Sequence, residues 1–226
     1  MVPWPAILAI PAFVIVELAV SSMRGRIEIV PAPKTTPTQA QDVFRPVFLR
    51  GLTAVAYALL SIFWIGADQK ALAYSTAGFL VVTGVFMWQY VVVGSAPEKS
   101  RGAYAAGAGL MLLAGIATIF ATSVAWIGYI AAFAFLASGI AELYVFAKLR
   151  HAFPPFRNQL VTGAVGVILA MALCFSGGMD AHALFGLIGG GTIVLAVFEL
   201  IAGFGHRHEM KAEAPHAADM PEQENN

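Results

Sequence analysis

This sequence predicts an all-α, polytopic integral membrane protein with six core transmembrane helices in three hairpin repeats, preceded by an N-terminal apolar segment. Three observations carry that prediction. Hydrophobic residues make up 59% of the chain and charged residues only 12%, with a mean hydropathy of +0.76. A soluble domain has about 25% charged residues, so too few charges are present to cover a water-facing surface. The apolar residues fall in long runs, and a helix needs about 20 of them to cross about 30 Å of hydrocarbon. Finally, one unit recurs: Arg50-Gly51, Arg101-Gly102 and Arg157-Asn158 each open a small-residue-rich apolar run, at intervals of about 50–57 residues.

The N-terminal segment, residues 1–22, is apolar over 2–20 apart from Glu17 and is interrupted by Pro3, Pro5 and Pro11. A secretory signal carries its positive charges before the apolar core. Here Arg24 and Arg26 follow it, so a retained segment is expected, spanning with Met1 outside. A re-entrant or interfacial piece is the alternative, because Pro11 breaks a helix where lipid tolerates it least. Residues 23–47 are polar and contain Pro31, Pro33, Pro37 and Pro46, which reads as a linker.

The membrane domain follows over 48–205, with repeats at 48–95, 101–148 and 157–205. The first pair of helices is expected at Phe48–Gly66 and Ala71–Gly94, broken by Ala67-Asp68-Gln69-Lys70. The second pair, Ala103–Ala121 and Val124–Ala147, turns at Thr122-Ser123, where Trp126 suits an interfacial anchor. The third pair, Gln159–Phe175 and His182–Phe204, turns through Ser176-Gly177-Gly178-Met179-Asp180. Residues 206–226 are polar and are expected as a disordered tail.

Charge placement sets an orientation. Twelve of the thirteen Lys and Arg residues, Arg50 among them, fall on one side of the six core spans, and Lys70 alone lies on the other. The positive-inside rule places the crowded side, and with it the C-terminus, in the cytoplasm of a plasma (inner) membrane. Arg24, Arg26 and Lys34 read first as topology signals, with contact to anionic lipid as a second reading.

Two carboxylates interrupt the spans, Glu142 and Glu199, at matching places in repeats two and three; Gln89 lies near the corresponding place in repeat one. An ionisable group costs about 2.5–3.5 kcal/mol at the centre of a span on insertion scales. The pair is therefore a candidate proton-binding site. The competing reading is structural. Glu142 precedes Lys148 by six residues and Glu199 precedes Arg207 by eight, so each can sit below the headgroups, bond a neighbouring helix or pair with a basic loop residue. Glu17, close to Arg24, reads as structural.

Small residues give a second signal. Gly107, Gly109, Gly163 and Gly166, with the GxxxG step Gly186–Gly190, are candidates for close helix packing, within the chain or at a dimer seam. The glycines at 189–191 lie within a span with no preceding strand and no following lysine, which excludes a nucleotide loop. Cys174 reads as a small buried hydrophobe. The tail's His206, His208, Glu209 and His216 match no recognised metal spacing, so neither a metal nor another cofactor is expected. Zero net charge argues against nucleic acid. No Walker loop, HExxH or nucleophile elbow is present, and loops of about 2–10 residues leave no room for a catalytic domain, so the chain reads as non-enzymatic.

Three two-helix repeats with this layout resemble the HdeD-like acid-resistance membrane proteins. Arg50-Gly51, Arg101-Gly102, Arg157 and the second-helix pattern around Gly84, Ser138-Gly139 and Glu142 carry the resemblance, which covers about 45–205. It implies the fold and a link to acid or envelope stress, and no site residues. The proline-broken start and the tail after His208 depart from it. Two other functions fit the residues: a small proton-linked transporter or channel using Glu142 and Glu199, or a subunit of a larger membrane complex. The partners expected are the lipid bilayer and either a second copy or another membrane protein.

Overall fold

A computed structural model describes residues 37–92, 98–149 and 158–218. The N-terminal apolar segment lies outside them, and so does the question of whether it spans. Six helices are described: α1 (Pro37–Phe63), α2 (Gln69–Val92), α3 (Glu98–Ile119), α4 (Val124–Leu149), α5 (Gln159–Cys174) and α6 (Ala181–Ala218), with a 3₁₀ turn at Ser176–Gly178. The described residues contain no strand.

Five helices are long and apolar enough to cross a membrane, over Phe44–Phe63, Gln69–Gln89, Ser100–Ile119, Val124–Lys148 and Ala181–Gly205. The shorter α5 has 16 residues, about 24 Å at 1.5 Å per residue, and its path continues into the 3₁₀ turn. Large apolar side chains such as Phe63, Leu113, Phe120 and Ile201 are more than half exposed. That outward surface suits lipid and would be a liability in water.

Each break within a repeat ends in a side-chain cap. Asp68 Oδ1 accepts the Ala71 N–H at 2.8 Å, Ser123 Oγ the Trp126 N–H at 3.4 Å, and Asp180 Oδ1 the Ala183 N–H at 2.8 Å. A cap satisfies backbone donors that the first helical turn leaves open. The polar breaks in the sequence are thus the starts of α2, α4 and α6.

Two boundaries differ most from the sequence reading. Helix α1 starts at Pro37 rather than Phe48 and carries Pro46 inside it, so the stretch read as linker is partly helical. A missing N–H at a proline is tolerated where neighbouring helices supply partners. Helix α6 runs to Ala218, past the expected start of the tail at residue 206. Its extension holds four alanines and two glutamates, strong helix formers, although Pro215 lies within it.

Helix pairing runs between the repeats as well as within them. The most extensive contacts join α2 to α3, α4 to α5, and α6 back to α1. The second helix of each repeat therefore packs on the first helix of the next, and the third repeat closes on the first. Within the hairpins, α3–α4 packing is close, whereas α1–α2 and α5–α6 touch less.

The buried positions repeat in register around this ring. Val47, Arg50, Gly51 and Ala54 of α1 correspond to Tyr104, Gly107, Ala108 and Met111 of α3, and to Gln159, Thr162, Gly163 and Gly166 of α5. In the second helices, Thr83, Gly84 and Met87 correspond to Ser138, Gly139 and Glu142, and to Leu195, Ala196 and Glu199. This register corrects the one drawn from the arginines, because Arg50 aligns with Gly107 and not with Arg101. It also puts Met87, rather than Gln89, in the place of the third acid.

Small side chains set the ring's seams. A Cβ on Gly139 would stand 2.8 Å from the Gly163 carbonyl oxygen, and one on Gly84 would stand 3.2 Å from that of Ala108. Such contacts let helix backbones approach where lipid supplies no hydrophobic drive. Of the glycines singled out in the sequence, Gly107, Gly163 and Gly166 sit at such contacts, with Met87 and Ala141, Gly139, and Phe135 as their respective neighbours. Gly109, Gly186 and Gly190 do not, since nothing stands within 4 Å of their Cβ positions. Gly186 and Gly190 face out of the bundle, and Gly189 and Gly191 of the same helix meet Ser61 and Leu169 instead.

Candidate functional site: a buried charge centre

Arg50, Glu142 and Glu199 come together inside the ring. Arg50 lies six residues into the span that starts at Phe44, and Glu142 and Glu199 lie six residues before the ends of theirs, Lys148 and Gly205. Each is therefore about 9 Å from the same end of the bundle. All three are buried, at 6%, 2% and 5% relative exposure. Arg50 Nη2 stands 2.6 Å from Glu142 Oε1 and 2.7 Å from Glu199 Oε1. One guanidinium nitrogen thus holds two carboxylates from two different helices.

The ring explains why these three meet. Arg50 is the one cation among the equivalent positions Arg50, Gly107 and Thr162, and the acids occupy two of the three positions Met87, Glu142 and Glu199. Met87 fills the third, fully buried, with its Cε 2.8 Å from where a Gly107 Cβ would be. Gly51 adds room on the other flank: a Cβ there would lie 3.2 Å from Glu199 Cβ. An apolar pair thus seals one third of the ring, and charges occupy the other two.

With both glutamates ionised, the centre carries one more negative charge than positive. Buried charges are tolerated when paired, and a surplus charge in a low dielectric is costly. The contacts with Arg50 do not satisfy every lone pair. Arg50 Nη2 meets Glu142 Oε1 as an ion pair, and among the described residues no hydrogen bond is made to that oxygen. A cavity of about 10 Å³ adjoins the centre and is lined by Arg50, Glu142 and Glu199 together with the hydroxyl-bearing Thr83, Ser138 and Thr162.

These contacts place the sequence candidates. Glu142 and Glu199, matched by repeat position, do form one site. Their cation is neither of the basic residues nearest in sequence: Lys148 stands over the Tyr144 ring at 5.9 Å, and Arg207 is exposed. In the sequence Arg50 reads as a flanking charge that marks topology, and the structure buries it. A signal was available, because Val47, Arg50, Ala54, Tyr57, Ala58 and Ser61 recur at helical spacing and all are buried. Gln89 is half-buried and takes no part. Cys174 is buried among core side chains, as read. The tail residues His206, His208, Glu209 and His216 have side chains outside the described residues. Among the described residues, no group of three potential metal-ligating side chains gathers.

Residues 109–175 match a family model described as a short repeat of unknown function (DUF308). The matched stretch is under a third of the chain and runs from α3 through α4 to the turn after α5. It contains Glu142 but neither Arg50 nor Glu199. No curated protein and no solved structure matches the chain. What stands is a multi-pass, all-α membrane protein that carries a repeat of unknown function.

Proposed function

We propose that this chain is a non-enzymatic membrane protein of the HdeD-like kind, serving survival under acid or envelope stress, with Arg50, Glu142 and Glu199 as its proton-binding element. The observation that carries this reading is the single guanidinium nitrogen shared by two buried carboxylates. Uptake of one proton cancels the surplus charge. It also weakens one of the two ion pairs that tie α1 to α4 and to α6, and so acts on the seams of the ring. The repeat match over residues 109–175 supports the family likeness. The lysine and arginine distribution supports an inner-membrane orientation with the charge centre toward the cytoplasm.

The test is acid survival of a strain lacking the gene, complemented with wild type, Glu142→Gln, Glu199→Gln or the double change. Wild type is expected to restore survival and the double variant is not. Equal survival of deletion strain and parent would sink the stress role. Reconstituted protein separates this reading from proton transport, the second use that two intramembrane carboxylates allow. A pH step across liposomes is expected to produce no flux above that of empty ones. Flux that disappears in the double variant would instead make the protein a proton-linked transporter.

A further inference from the structure

The cavity beside the charge centre has a feature that the ion pairs do not use. Thr83 lines it from α2, is 5% exposed, and its Oγ1 has no hydrogen-bond partner among the described residues. The other two hydroxyls in the lining are engaged. Ser138 Oγ donates to the Phe135 carbonyl at 3.3 Å, and Thr162 Oγ1 lies 3.2 Å from Gln159 Oε1 and 3.4 Å from the Asn158 carbonyl. A buried hydroxyl left unpaired costs about 1–3 kcal/mol, so such groups normally find a partner. Glu142 Oε1, on the same cavity, is ion-paired with Arg50 and accepts no hydrogen bond among the described residues.

We propose that this cavity is a binding site for one water molecule, and that Thr83 anchors that water against the carboxylates of Glu142 and Glu199. The size agrees, because about 10 Å³ is close to the least that holds one water. The chemistry agrees as well, because a buried water needs two to four polar partners. The water accepts the Thr83 hydroxyl proton in a hydrogen bond and donates its own two hydrogens to the carboxylates. The charged groups lining the cavity are Arg50, Glu142 and Glu199, while α2, α3 and α5 contribute Thr83, Met111 and Thr162. A proton arriving at the water passes along an existing hydrogen bond to Glu142. That forms one O–H bond on the carboxylate, breaks one on the hydronium and leaves the water as it was. The inference rests on the proton-binding reading above and assigns Thr83 as the positioning residue for that step.

The test is an infrared pH titration of the full chain in lipid nanodiscs, following the protonated-carboxyl band in wild type, Thr83→Val, Thr83→Ser, Thr83→Ala, Glu142→Gln and Glu199→Gln. Thr83→Val is expected to move the midpoint by about one pH unit, the size of one lost hydrogen bond to a charged group. Thr83→Ser keeps the hydroxyl and is expected to titrate like wild type. Thr83→Ala, which adds no bulk, is expected to follow Thr83→Val and replaces it if that variant does not fold. Unchanged midpoints in both hydroxyl-free variants, with the band still lost in the glutamine variants, would overturn the water site and leave the proton-binding reading standing. No titrating band in wild type would remove both. A wild-type midpoint that depends on sodium, with choline as control, would make the occupant a sodium ion and overturn the water assignment.

Discussion

Arg50→Met removes the one charge that holds the centre together while keeping a side chain of similar length. Both glutamate oxygens stand within 2.7 Å of Arg50 Nη2, so they lie no farther apart than the sum of the two ion-pair distances. Two like charges about 5 Å apart at an effective dielectric constant of about 20 repel by about 3 kcal/mol. Removing one partner of a buried pair costs about 3–5 kcal/mol by mutagenesis, in line with that figure. Arg50→Met is therefore expected to lose about 3–5 kcal/mol at neutral pH, read from denaturant unfolding of the purified protein in mild detergent. The sign with pH follows from charge. The penalty needs ionised carboxylates, so it is largest at neutral pH and shrinks as acid protonates them. Adding Glu142→Gln and Glu199→Gln to Arg50→Met is expected to recover most of the loss. A variant as stable as wild type at neutral pH would refute the reasoning. So would an equal loss with and without the glutamine changes.

Three further outcomes are expected. Gly139→Ala places a Cβ 2.8 Å from the Gly163 carbonyl oxygen and 3.0 Å from the Val167 nitrogen. Backbone has to move, and the cost is about 1–3 kcal/mol in the same unfolding assay, whereas Gly109→Ala, with open space at its Cβ, is neutral or gains up to about 1 kcal/mol. Met87→Glu adds a third acid in register with Glu142 and Glu199. Its thermal stability in detergent is expected to fall well below wild type at neutral pH and to recover in acid. Asp180→Ala removes the cap on α6 that accepts the Ala183 N–H. The expected loss is about 0.5–2 kcal/mol, and an unchanged unfolding midpoint would show that the cap is not needed.

Much of the fold was legible because bilayer physics acts on composition alone. Apolar runs of span length, separated by polar breaks, are required by the thickness of hydrocarbon, and the breaks around Asp68, Ser123 and Asp180 became helix caps. The site was half legible. Glu142 and Glu199 stood out because a charge inside an apolar run is conspicuous, and the repeat matched their positions. Arg50 did not stand out, because it lies near the start of its span and resembles the basic residues that flank membrane helices everywhere. Its burial is decided by which face of α1 turns inward, and that depends on α6. The glycines show the same division. Gly186 and Gly190 have the spacing of a packing step, yet helical periodicity does not say which side of α6 meets a neighbour.

By itself, then, this sequence determined the helices, the polar breaks inside each repeat, the threefold repetition and the two intramembrane acids. Each of these follows from residues near one another in the chain. Only the tertiary structure decided that the third repeat closes on the first, that Met87 rather than Gln89 takes the third acidic place, and that Arg50 is shared by Glu142 and Glu199. The physical reason is that helices in lipid are all apolar outside. Their pairing is settled by fine surface shape, by where a missing Cβ lets two backbones approach, and by where a buried charge finds its counterion.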